Sequence, residues 1–299
     1  MRRTSIVAAA AVLVLALAAC SGGSPEPAPS SAPGSTGATA GSSAPGTTAG
    51  TTSTAPPTTA AADPLPTATI SSDLAVEAAF RQGIAKADEG WVLSNDFTLF
   101  RTDDAFAITS KNEQAIPPDM LAQEFDHIGD IDVESGVIYA PLEQGDYEAM
   151  RQAMVRYDAV TLELIDLVEV TQSHNSWVSV DPDTMIGYSM NAFTDSQVLR
   201  YDVAAGWKPL DPIPLDRTVD RVQGGDVEGG YLWLSTDDAT NGVYRVDLTT
   251  GAVVDLGSAG QVDGEGEGID ATELPTGDLH VLVADPALVP MWVVHLTVE

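Results

Sequence analysis

The chain has 299 residues, a formal net charge of −31 from 13 Lys and Arg against 44 Asp and Glu, and one cysteine. So acidic a balance repels nucleic acid and anionic lipid surfaces. A single cysteine excludes an internal disulfide framework, so any fold here rests on burial.

Arg2 and Arg3 precede an apolar run, Ile6 to Ala19, that ends in small residues. That is the order of an export signal. The run is about 14 residues, short of the roughly 20 that cross a bilayer as a helix. Cys20 follows at once, and Leu17-Ala18-Ala19-Cys20 resembles the lipobox of bacterial lipoproteins. In that family the cysteine thiol is acylated and the peptide is cut just before it. The resemblance implies a signal peptide over 1–19, lipidation at Cys20, and export to the outer face of the cell membrane, held there by the lipid. The competing reading of Cys20 is a free or intermolecularly paired thiol.

Residues 20–66 are almost entirely Ser, Thr, Ala, Pro and Gly, with Glu26 and Asp63 as the only charges. Such a segment cannot bury enough apolar surface to offset its ordering entropy, so it is expected to be a disordered tether. Its Ser, Thr and Pro content suits O-glycosylation, and its Ala and Pro bias resembles actinobacterial lipoproteins.

Residues 67–299 are expected to form one all-β domain. Arg101-Thr102-Asp103, Arg156-Tyr157-Asp158, Arg200-Tyr201-Asp202 and Arg245-Val246-Asp247 each close a strand-like stretch and open a turn. With His295 in the fifth position, the intervals are 55, 44, 45 and 50 residues, a period of arrays and propellers. Two further strand patterns precede each of these at matching distance, and one follows each of the first four. Strand, strand, strand, turn, strand is the content of one β-propeller blade. A β-sandwich also has many short strands, but the in-step repetition of three strand types favours a propeller of five blades, with six as the alternative. The fifth repeat stops after its third strand, Met291–Val298. The segment 67–80 is expected to supply the missing outer strand, with Asp73 to Gln82 as a short helix in an alternative reading. "IPPDMLAQEF" and "GDYEAMRQAM" predict short helices, the second capped by Asp146. Trp91, Trp177, Trp233 and Trp292 fall inside strand patterns and are expected to pack between blades rather than form a sugar platform.

The phrases Gly129-Asp130-Ile131-Asp132 … Gly136-Val137-Ile138-Tyr139-Ala140-Pro141 and "YRVDLTTG" resemble bacterial β-propellers of lactonase-like and quinoprotein-like kind. That resemblance spans roughly 82–299 and implies a fold. Some propellers of this shape are metal-dependent hydrolases and others only bind or scaffold, so no reaction follows from it. No His-x-x-x-His, Gly-x-Ser-x-Gly or P-loop pattern occurs.

Aligning the repeats on Ile84, Ile131, Val180, Val227 and Ile269 gathers polar neighbours at one level around the axis. Gln82, His127, Asp130, His174, Gln223 and Glu267 are the expected ligand-binding residues, with Asn175, Asp226 and Glu265 beside them. Asp132, Asp181, Glu228 and Asp270 form a second equivalent set, read as turn caps. The functional expectation is a surface-tethered binding or scaffolding module whose partner is an envelope protein or glycan. The alternative is a lactonase- or phosphoesterase-like hydrolase that uses Ca²⁺ at the propeller mouth.

Overall fold

The computed structural model describes residues 65–191, 194–260, 264–275, 277–284 and 290–299. The expected leader, Cys20 and nearly all of the tether lie outside the described residues. Among the described residues no helix is long and apolar enough to cross a membrane.

Twenty-one strands build five antiparallel sheets. The first strand, β1 (Ala68–Val76), belongs to the last sheet. Sheet one holds β2 (Ile84–Lys86), β3 (Trp91–Ser94), β4 (Leu99–Thr102) and β5 (Ile108–Asn112). Sheet two holds β6 (Phe125–Ile128), β7 (Asp132–Glu134), β8 (Val137–Gln144), β9 (Gln152–Asp158) and β10 (Leu164–Val170). Sheet three holds β11 (Ser179–Asp181), β12 (Ile186–Ser189), β13 (Asp195–Asp202) and β14 (Lys208–Val219). Sheet four holds β15 (Val222–Glu228), β16 (Tyr231–Thr236), β17 (Gly242–Asp247) and β18 (Val253–Ser258). Sheet five holds β19 (Glu265–Asp270), β20 (Leu279–Ala284) and β21 (Met291–Val298), completed by β1. The inner strands β2, β7, β11, β15 and β19 touch in that order and return to β2. The domain is a five-bladed β-propeller.

The Arg-Asp repeats sit at the ends of the third strands, and each aspartate makes the turn that follows. Asp158 Oδ1 accepts from the amides of Val160 and Thr161, and Asp247 Oδ1 from those of Thr249 and Thr250. This is the reason Asp recurs there, since its side chain reaches backbone N–H groups two residues on.

The core is divided among five seams. One cluster joins Ala85, Val92 and Leu99 of the first blade to Ile128, Ile138 and Tyr157 of the second. The others lie between blades two and three, three and four, four and five, and five and one. Trp91, Trp177 and Trp233 are buried in these seams, as their strand positions predict. Trp177 fills its seam so fully that a Cβ at Gly225 would overlap its ring.

The two helical insertions are short, as expected. Pro118–Leu121 is one helical turn, started by prolines that tolerate its first positions. Tyr147–Ala149 is a 3-10 turn with no side-chain cap from Asp146, a correction to the expected N-cap. The β-hairpin closes there instead, and the apolar stretch that follows, Gln152–Asp158, is strand β9.

β1 pairs antiparallel with β21 over its whole length, from Ala68 opposite Val298 to Val76 opposite Met291, with a bulge at Ile70/Ser72. Asp73 to Val76 is therefore strand and not helix. The backbone bonds between Thr67 and Glu299, 3.0 Å in each direction, extend the ladder. Deleting residues 67–76 opens the edge of β21 and the fifth blade, and is expected to abolish cooperative thermal unfolding. Deleting 21–60 is expected to leave the melting temperature unchanged; differential scanning calorimetry of both truncations checks this.

Candidate functional site

The inner strands run the same way along the axis, so their starts form one mouth and their ends the other. Asp130 closes the channel between them. It precedes β7, is 1% exposed, and its carboxyl accepts four backbone amides. Oδ1 takes those of Ile131 and of Ile84 in blade one, at 3.0 and 3.2 Å. Oδ2 takes those of Gly225 in blade four and Ile269 in blade five, at 3.1 and 3.2 Å. Its own backbone pairs with Ser176 and Val178 of blade three. Gly268 must be glycine at this crossing, because a Cβ there would overlap the Asp130 carboxyl. Burial pushes the pKa of Asp130 well up, and the N–H donors oppose that shift.

Above Asp130 lies a cavity of about 310 Å³ to which every blade contributes. Blade one supplies Gln82, whose backbone amide bonds to Ser94 O and whose carbonyl takes the Gly268 amide at 2.8 Å. Blade two supplies His127 on β6, and Glu143 on β8. Blade three supplies His174 and Ser176, blade four Gln223, and blade five Glu265 and Glu267. The sequence "EGEG" has a local cause. Alternation along β19 turns Glu265 and Glu267 to one side, while Gly266 and Gly268 back onto Thr236 O and Asp130 with no room for a side chain.

Glu143 is the most engaged carboxyl. Its Oε1 accepts from the Tyr147 hydroxyl at 2.8 Å, and its Oε2 accepts the Asn175 amide at 2.9 Å and lies 3.2 Å from His174 Nε2. Burial holds the His174 imidazole below its ordinary pKa; Glu143 opposes this and His127 reinforces it. His127 Nδ1 lies 3.4 Å from Asp96 Oδ1. Glu267 is pushed well above the carboxylate range, first by burial and then by Glu265.

Five of the six residues expected from sequence therefore share one cavity: Gln82, His127, His174, Gln223 and Glu267. Asp130 lies beneath the cavity with its oxygens committed to the blades. Asn175 is buried behind it, its side chain donating to Ala153 O and accepting from Gln172. Glu143, Tyr147 and Asp126 also line the cavity outside the aligned positions, on the second strand, on the short turn and next to His127 on β6. An acidic residue in the apolar strand Val137–Gln144 was the available signal. Among the described residues no three imidazole, carboxyl or thiol groups are spaced to hold a metal ion.

The other end of the channel carries the second set, whose members differ. It also carries Asp226, which was expected beside the ligand-binding residues but bonds here to Ser179 and Ala271. Asp181 makes its own turn with Asp183 and Thr184. Asp132 instead accepts the Val180 amide at 2.7 Å, Asp226 the Ala271 amide at 2.6 Å, and Asp270 the Lys86 amide at 2.7 Å. Each joins its blade to another. Asp226 is pushed up to about 7 by burial and by Asp270. Glu134 reaches about 7 through burial and the charges of Asp226, Glu228, Asp270 and Asp181.

No family model matches the chain, and no curated protein matches it in sequence. Its fold is similar to that of glutaminyl cyclase from Myxococcus xanthus, with a TM-score of 0.59, 12% identity, and 78% of this chain and 98% of that chain covered. A PQQ-bound aldose sugar dehydrogenase from Streptomyces coelicolor aligns at a TM-score of 0.46 and 11% identity, over 79% of this chain and 99% of that one. At 12% identity the likeness to the glutaminyl cyclase shows a shared fold and no reaction.

Glu134 and Asp226 bind protons more tightly folded than unfolded, since their folded values near 7 exceed the ordinary 4.5 and 3.8. The stability they contribute is complete below about pH 4 and is lost as pH rises through 7. Carboxylates with lowered values, such as Asp158, Asp166 and Asp247, act oppositely at the acid end. The melting temperature is therefore expected to peak between about pH 4 and 6 and to fall toward pH 8. Glu134→Gln should raise it at pH 8 by roughly 2–4 °C and flatten the slope. A calorimetric pH series on both proteins checks the sign.

Proposed function

We propose that the chain is a ligand-binding module displayed at the cell surface on a lipid-bearing tether, and that its ligand is a small polar molecule held in the upper channel mouth. One observation carries this reading: imidazole, amide and carboxyl side chains from all five blades face a single cavity. Its volume falls near the lower end of small-molecule pockets. A scaffold needs no such convergence, and the blades are already joined by Asp130 and the seams beneath. The tether and the lipobox resemblance support placement on the outer face of the membrane, where the ligand would be an envelope component or a solute released from one.

A library of small polar metabolites should contain compounds that raise the melting temperature of the purified protein. At a hundredfold excess over Kd the gain is about 2.7 kcal/mol, or roughly 5–10 °C in a domain this size. His127→Ala and Gln223→Ala should remove the gain while shifting the ligand-free melting temperature by less than about 2 °C, as for surface substitutions. Gains that persist in both variants place the ligand elsewhere.

Cys20→Ala should move the protein from the detergent phase to the aqueous phase on phase partitioning of cell extracts, because the acyl chains supply the membrane affinity. Retention in the detergent phase removes the lipid anchor from the proposal.

A further inference from the structure

Among the described residues the mouth is walled by four acidic side chains, Asp126, Glu143, Glu265 and Glu267, and by no lysine or arginine. Glu143 already has the Tyr147 hydroxyl and the Asn175 amide. Glu267 differs. It is 4% exposed, lines the cavity, and its carboxyl receives no hydrogen bond from the described residues. The Ser235 hydroxyl donates to its backbone carbonyl instead. The residue is nearly all buried, but its carboxyl oxygens are not among the polar atoms sealed inside the protein; they open onto the cavity.

The charges that face it are unbalanced. Glu265 stands two residues earlier on the same strand, Asp130 lies below, and Asp96 approaches from blade one. Arg81 pulls the other way, but it forms no ion pair among the described residues. A small cation rich in N–H donors would offset these charges and fits a cavity of about 310 Å³. A metal ion is the poorer fit, because among the described residues no three imidazole, carboxyl or thiol groups are spaced for one. An alkylammonium donates three hydrogen bonds in tetrahedral directions, and the amide oxygens of Gln82 and Gln223 add neutral acceptors nearby.

We propose that the channel mouth binds a small organic cation, with its ammonium group seated between Glu267 and Glu265. This rests on the reading of the mouth as a ligand site and names the class of ligand. It has a linked consequence. Without a neighbouring cation Glu267 retains a proton, since burial and like charges disfavour its ionised form. A bound ammonium reverses that balance, so one proton leaves the carboxyl as the cation enters. The protein then exchanges a proton for its ligand, and affinity rises with pH.

Isothermal titration of the purified protein with 1,5-diaminopentane tests this, with 1,5-pentanediol and glutarate as neutral and anionic counterparts of similar length. The diamine should bind saturably and tighten with pH from 6 to 8, approaching a hundredfold where a full proton is released over that range. Titrations in two buffers of different ionisation enthalpy should show release approaching one proton. Glu267→Gln should weaken binding about tenfold or more and remove the proton release. Should that variant misfold by circular dichroism, Glu265→Gln at the exposed rim serves in its place, with weakened diamine binding expected. Diamine binding that is absent, unchanged by these variants, or displaced by stoichiometric Ca²⁺ overturns the proposal. Binding of the diol or glutarate that is lost in Gln223→Ala overturns the cationic class and leaves the mouth a ligand site. Binding of all three compounds untouched by Gln223→Ala and Glu265→Gln overturns both.

Discussion

One carboxyl group holds the centre of this propeller. Asp130 leaves blade two and satisfies backbone amides of blades one, four and five, while its main chain pairs with blade three. The inner edges of five sheets meet at the axis, where their amides cannot all find ladder partners. An unpaired buried amide costs about 1–3 kcal/mol, and a domain has about 5–15 kcal/mol in total. A short acceptor-only side chain at the crossing removes several such costs at once. Its geometry requires glycine opposite it, which explains the Gly-rich starts of the inner strands better than flexibility does.

The same solution repeats with variations along the axis. Asp132, Asp226 and Asp270 each reach an amide in another blade, so the lower channel is built from carboxyls that hold the ring together. Desolvation and neighbouring acids raise the proton affinity of Asp132 and Asp226 in this column. The upper mouth uses the same residue types differently. There Glu267 and Glu265 face open space, and among the described residues the lining holds no lysine or arginine, Arg81 acting on Glu267 from outside it. The division between the two ends separates acids that bond from blade to blade from acids that face the cavity.

Much of this was legible in the sequence, for reasons that are local. The Arg-Asp turn is a four-residue event, so its recurrence marked the third strand of each blade, and the blade count followed. The unfilled edge beside Met291–Val298 pointed to the N-terminal segment. Alignment of the inner strands also placed Gln82, His127, His174, Gln223 and Glu267 at one level. What was not legible depends on contacts between distant segments. Nothing near Asp130 distinguishes an axial acceptor from a mouth residue; the distinction is made by amides at positions 84, 225 and 269. Glu143 and Tyr147 enter the mouth from a second strand and a short turn, which the inner-strand alignment does not sample. Asp146 follows the local rule for a helix cap, yet a tight hairpin and an apolar strand after it leave no helix to cap.

The pairing of β1 with β21 bears on how the molecule is made. The first strand of the domain finds its partner only when the last strand exists, so ring closure cannot begin while the chain is still emerging. Until then β1, with Ile70 and Leu74 on its exposed side, and the bare flank of the fifth blade are both unpaired edges. Joining the two ends requires closing a loop of nearly the whole domain, an entropic cost that comes before the reward. Topologies of this kind fold slowly, and their intermediates are prone to edge-to-edge association. A surface at −31 net charge gives such intermediates mutual repulsion during that interval, which is a service of the acidity separate from any role in the folded protein.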